Sequence, residues 1–71
     1  MRNEKVPNWL AEVLTELPER QRLTVEMSLQ GYTQQESAEQ LQTSREAVAG
    51  LLRRALEHLR LRWQQLRDGP G

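Results

Sequence analysis

The chain has 71 residues, with ten Lys and Arg against ten Asp and Glu, one histidine and no cysteine. That length bounds it to one domain with a marginal core, and a lone His58 without cysteine supplies neither a disulfide nor the usual nitrogen and sulfur ligands of a metal, which weighs against an enzyme. No apolar run approaches the roughly 18 residues of a membrane span, and Met1 to Leu10 lacks the apolar centre of a signal peptide, so the sequence reads as a soluble cytoplasmic protein without a cofactor.

The charges are unevenly placed. Residues 1–42 carry four cations against seven anions, a net −3, and residues 43–71 carry six against three, a net +3. Such a chain can turn a basic face toward phosphate while its acidic half stays in solvent or meets a basic partner. The competing reading of the same charges is a solvated helix face.

Leu, Glu, Gln and Arg are abundant and period-two alternation is absent, so the expectation is an all-α fold. After Pro7, the residues Trp9, Leu10, Val13, Leu14 and Leu17 recur at helical spacing and predict a first helix from Asn8 to about Leu17, with that stripe in the core. Pro18 suits the opening of a second helix, where the first-turn donors are unpaired anyway, and Gly31 suits the left-handed residue that closes it. Within it Leu23, Val25, Met27 and Leu29 do not define one buried side.

Thr33 and Glu36 have the spacing of a capping box and predict a short third helix ending near Leu41, burying Ala38 and Leu41. Two residues later Ser44 is the natural cap of a fourth helix, with Thr43 and Glu46 as a rival box one residue earlier. That helix should run to about Leu66, leaving residues 1–7 and 67–71 as flexible ends of a single domain. Its Val48, Leu52, Ala55 and Leu59 share one face, with Trp63 and Leu66 continuing it, and all should pack on the preceding helices.

A short helix, a tight turn and a second helix with arginines is the arrangement that lays one helix in the DNA major groove. Opposite the core stripe lie Glu46, Ala49, Gly50, Arg53, Arg54 and Glu57. Arg45, Glu46 and Arg53 are long enough to probe base edges, arginine matching the paired acceptors of guanine and glutamate the amino group of cytosine. Small Ala49 and Gly50 would let the backbone come close. A glycine inside a helix costs about 1 kcal/mol relative to alanine, so Gly50 needs a reason, either close DNA approach or tight packing on another helix.

Leu17 to Arg22, Gly31-Tyr32-Thr33, Ser37 to Leu41 and Ser44 to Arg60 together resemble region 4, the C-terminal promoter-reading domain of bacterial RNA polymerase sigma factors. The likeness is strongest to the extracytoplasmic-function (ECF) group and spans roughly Leu10 to Arg62. It implies a small four-helix domain with a helix-turn-helix and no wing, recognition of the minus-35 element by the fourth helix, docking on the flap of the polymerase β subunit, and in many members capture by an anti-sigma factor. Carried over by position, Ser44, Arg45, Glu46, Ala49 and Arg53 would meet bases and adjacent phosphates, Ser44 on the phosphate side, and Arg20, Arg22, Tyr32, Thr33 and Gln34 would meet phosphates. The outward face of the fourth helix adds Gly50 to the base contacts and Arg54 to the phosphate contacts.

The departures are informative too. Many relatives carry Lys, Ser and Arg where this chain has Ala49, Gly50 and Leu51, and a basic residue at Leu56, so phosphate contacts should be fewer and intrinsic affinity weak. The N-terminal domain that melts the minus-10 element is not within these residues, which leaves an excised domain or a stand-alone protein. Leu51 and Leu56 flank the core stripe and should be buried under the first helix. Exposed, they would form an apolar band for the flap, an anti-sigma factor or a second copy. Two alternatives in function remain: an interaction module of the same fold that barely touches DNA, and a response-regulator-type effector domain, which would pair on symmetric half-sites.

Overall fold

The computed structural model describes residues 8–68, and within them four helices follow one another without a strand. Helix α1 spans Asn8–Leu14, α2 Glu19–Leu29, α3 Gln34–Leu41 and α4 Arg45–Asp68. None is long and apolar enough to cross a membrane.

Helix α1 stops three residues before the predicted Leu17. The amides of Thr15, Glu16 and Leu17 turn to carbonyls three residues back, at 3.2, 2.9 and 3.2 Å, and the Thr15 hydroxyl donates to the Glu12 carbonyl. Pro18 explains the tightening, because its ring pushes the preceding residue out of helical conformation. Pro18 itself (φ −55°, ψ 150°) flanks α2 from outside, and its carbonyl accepts the Arg22 amide.

The end of α2 follows the local chemistry expected of it. Gly31 adopts φ +97°, its amide donates to the Ser28 carbonyl and that of Tyr32 to the Met27 carbonyl, both at 3.0 Å. A Cβ at Gly31 would meet no atom within 4 Å, so backbone conformation and not space selects glycine there. The capping box of α3 is complete: the Thr33 hydroxyl accepts the Glu36 amide at 3.0 Å, and the Glu36 carboxylate accepts the Thr33 amide at 2.8 Å.

Between α3 and α4 the left-handed residue is Gln42, at φ +57°. Its amide donates to Glu39 and that of Thr43 to Ala38, at 3.3 and 2.9 Å, and the Ser44 hydroxyl then caps α4 by accepting the Ala47 amide at 3.0 Å. Ser44, not the rival Thr43, is therefore the cap. One of the two arginines of α2 reaches this turn as well, with Arg20 Nη2 donating to the Leu41 carbonyl at 3.2 Å.

All three shorter helices pack on α4. Val13, Leu14, Leu17, Val25, Ala55 and Leu59 form the core, with Trp9, Leu10 and Leu52 against it, and Ala38 and Val48 are buried beside the turn. The alanines Ala38 and Ala55 are fully enclosed and let helices approach closely. Buried Thr24 satisfies its hydroxyl on the Gln21 carbonyl at 2.7 Å. At the other end Glu16 accepts from Arg62 Nε at 3.2 Å and lies 2.9 Å from His58 Nε2, which ties the α1–α2 turn to α4. The His58 hydrogen bond and the Arg62 charge hold the Glu16 carboxyl below the usual range.

Burial expectations change at five residues. Leu41 is only half-buried. Leu56 is 52% exposed, because it lies about 100° round α4 from Ala55 and clears α1; Leu51 is half-buried. Leu66 is 49% exposed, since a 24-residue helix outruns three short ones. Trp63 keeps a partner, its ring 5.2 Å from that of Trp9 at 37°, yet remains 44% exposed. Helix α4 also continues through Arg67 and Asp68, which the sequence places in a flexible tail, while residues 1–7 and 69–71 lie outside the described residues.

A left-handed non-glycine costs roughly 1–2 kcal/mol, and glycine returns about 0.4–1 kcal/mol of that through unfolded-state entropy. Gln42→Gly should therefore raise stability by about 0.5–1 kcal/mol in urea unfolding. A loss of stability would show that the Gln42 side chain supports the turn.

Candidate nucleic-acid interface

The geometry follows from the α3–α4 turn. With Val48, Ala55 and Leu59 buried, the helical repeat of about 100° per residue turns Glu46 and Arg53 directly away from the core, with Ala49 and Gly50 on either side of them. Arg45, Glu46, Arg53 and Arg54 are exposed, and Ala49 and Gly50 partly so. Arg45 and Arg54 fall on opposite flanks of this face. Ser44 stands at its N-terminal edge, where the first-turn amides of α4 have no partner within the helix.

The space around Gly50 decides between its two readings. A Cβ built there would meet only the guanidinium of Arg54, at an ordinary 3.7 Å, and no atom of another helix. Packing therefore does not require glycine, and the tight-packing reading fails. What remains is a residue that weakens the helix at the centre of an exposed face between arginines.

The second cluster lies at the start of α3. Tyr32, Thr33 and Gln34 are exposed beside amides that no helical carbonyl satisfies. Thr33 commits both its amide and its hydroxyl to Glu36, and the Glu36 carboxylate puts a negative charge at the helix start. That charge opposes a phosphate at the same place, so the anion-attracting character of this terminus is partly spent.

The two arginines of α2 differ. Arg22 is half-buried and sets Nη1 3.3 Å from both carboxylate oxygens of Glu26, a pairing that offsets its charge. Arg20 is exposed, and its bond to the Leu41 carbonyl brings its guanidinium to the turn preceding α4. Sequence reasoning missed this tie because nothing local signals a contact across 21 positions. It also missed the left-handed Gln42, which a two-residue link between a helix and a serine cap requires.

A family described as sigma-70, region 4 matches residues 8–59. The chain belongs to this family. No curated protein and no solved structure matches it. Membership in sigma-70 region 4 implies DNA binding at the minus-35 promoter element and interaction with RNA polymerase, the work of a DNA-binding transcription domain. The helix-turn-helix of the family corresponds here to α3, the Gln42 turn and α4.

Gly50→Ala should raise the stability of the free protein by about 0.5–1 kcal/mol, because the helix gains propensity and meets no clash. Thermal melting checks this. A lowered melting point would mean that the glycine is needed by the fold after all.

Proposed function

We propose that this region 4 domain belongs to a cytoplasmic ECF-type sigma factor and reads the minus-35 element with α4. In this reading Arg45, Glu46, Ala49, Gly50 and Arg53 meet base edges, the arginines seeking guanine and Glu46 cytosine. Ser44 and Arg54, Arg20 and Arg22 on α2, and Tyr32, Thr33 and Gln34 at the start of α3 meet phosphates. Docking on the polymerase β flap accompanies DNA binding, and an anti-sigma factor would control it.

The observation that carries the reading is Gly50. A helix-weakening residue that no other helix touches, on the outward face between Arg53 and Arg54, fits a surface that another backbone or a base edge must approach. The zero net charge and the Arg22–Glu26 pairing favour weak intrinsic affinity, which attachment to polymerase would offset by raising the effective concentration of promoter.

Selection of duplexes from a random-sequence pool at low salt tests this without assuming any promoter sequence. The expected result is one asymmetric motif. Arg45→Ala and Arg53→Ala should each reduce preference for that motif over scrambled duplex by ~5- to 150-fold, the equivalent of about 1–3 kcal/mol. Arg54→Ala should weaken all duplexes alike and lower the salt slope by about 0.9. Equal binding of selected and scrambled duplexes would contradict the reading. A symmetric motif bound by a dimer would favour a response-regulator-type domain.

A further inference from the structure

One residue of the outward face takes no part in the proposed base or phosphate contacts. Glu57 lies four positions after Arg53 and seven after Gly50, and a repeat of about 100° per residue puts all three on the side of α4 opposite buried Val48, Ala55 and Leu59. Its side chain is 62% exposed, and Arg60 Nη2 stands 3.4 Å from its carboxylate. An exposed pair three residues apart adds little to stability, so the fold gives no strong reason for an acid here. Beyond Glu57 the same line of α4 continues through Leu61, Gln64 and Asp68, all exposed and none cationic. The positive character of the outward line therefore stops at Arg54.

The place of Glu57 along the helix decides what it would meet. A recognition helix touches base edges with its N-terminal residues. At a rise of about 1.5 Å per residue, Glu57 stands about 16 Å beyond Glu46 and about three turns into α4. The major groove is only about 12 Å wide and winds away from a straight helix, so a side chain that far along is brought to the phosphate wall and not to a base edge. A carboxylate there faces like charge.

We propose that Glu57 ends the DNA footprint of α4, an inference that rests on the reading of α4 as the minus-35 helix. Its carboxylate opposes the phosphate backbone just past Arg53 and Arg54, and so holds down binding to every duplex while leaving the choice of sequence to the residues before it. Of the two roles open to a carboxylate in a groove, accepting from cytosine or opposing phosphate, position selects the second, since Glu46 already stands in the first turn, where base edges are within reach. Arg60 does not cancel the effect, because it lies about 60° round the helix from Glu57 and their pair is exposed to water. The consequence is a domain that holds DNA usefully only when a second attachment keeps it there.

The test compares Glu57→Gln with Glu12→Gln. Each removes one negative charge from an exposed helical position and keeps a good helix former, but Glu12 belongs to α1, on the core side of α4. Binding to the selected and to a scrambled duplex is measured by fluorescence anisotropy over a salt series. Glu57→Gln should tighten both duplexes alike, by ~3- to 10-fold at low salt, with the gain fading as salt rises and the preference unchanged. Glu12→Gln should tighten either by less than about twofold. Any of three results would overturn the proposal: unchanged binding by Glu57→Gln, a gain no larger than that of Glu12→Gln, or weakening confined to the selected motif, which would make Glu57 a reader of bases. Failure of the minus-35 reading shows separately, as a lack of preference in the unaltered chain, and the two variants on scrambled duplex then still decide the role of Glu57.

Discussion

Three residues, Gln42, Thr43 and Ser44, join α3 to α4, and with so short a link the direction of the long helix is set by backbone conformation. Gln42 takes the left-handed conformation, its amide and that of Thr43 close α3, and Ser44 opens α4 one residue later. Arg20 adds a third helix to the same point through the Leu41 carbonyl. Everything downstream depends on this junction. Once Val48, Ala55 and Leu59 are turned inward, Glu46, Gly50 and Arg53 have nowhere to face but solvent. The core keeps the face open, and the caps keep it aimed.

The chain thereby resolves an apparent conflict between zero net charge and a nucleic-acid partner. Its positive charge is concentrated after the turn, on α4, while Glu12, Glu16, Glu19, Glu26, Glu36 and Glu39 belong to the supporting helices and their turns. Part of that acidic supply is structural: Glu36 caps α3, Glu26 pairs with Arg22, and Glu16 anchors the α1–α2 turn to His58 and Arg62. Neutralised in this way, the scaffold adds little long-range attraction to phosphate. In the proposed reading, selectivity comes from the close contacts of α4 and useful affinity from a second attachment, for which the polymerase interaction implied by membership in sigma-70 region 4 is the candidate.

What the sequence made readable is what local chemistry controls. The Thr33–Glu36 box, the glycine closure at Gly31 and the Ser44 cap each involve residues within a few positions of one another, and each formed as expected. The family resemblance, built on those spacings, was correct. What stayed hidden depends on how far helices extend past each other. Leu56 and Leu66 lie at plausible core spacing, yet the helices that would cover them are too short or sit to one side. Helix α1 lost its last turn to a proline whose effect reaches one residue back. Gly50 is the opposite case: its oddity was visible in sequence, but only its surroundings, where a Cβ would meet the Arg54 guanidinium at an ordinary 3.7 Å and no other helix, showed that the fold does not need it.

The dependence of the reading face on the α3–α4 link is open to one decisive measurement: duplex selection with a variant carrying a single glycine inserted between Gln42 and Thr43. If the link aims α4, the variant should keep its helix content and cooperative melting but lose preference for the motif that the unaltered chain selects. Retention of that motif with undiminished preference, in a protein shown to be folded, would mean that something other than the left-handed turn and its caps directs the helix.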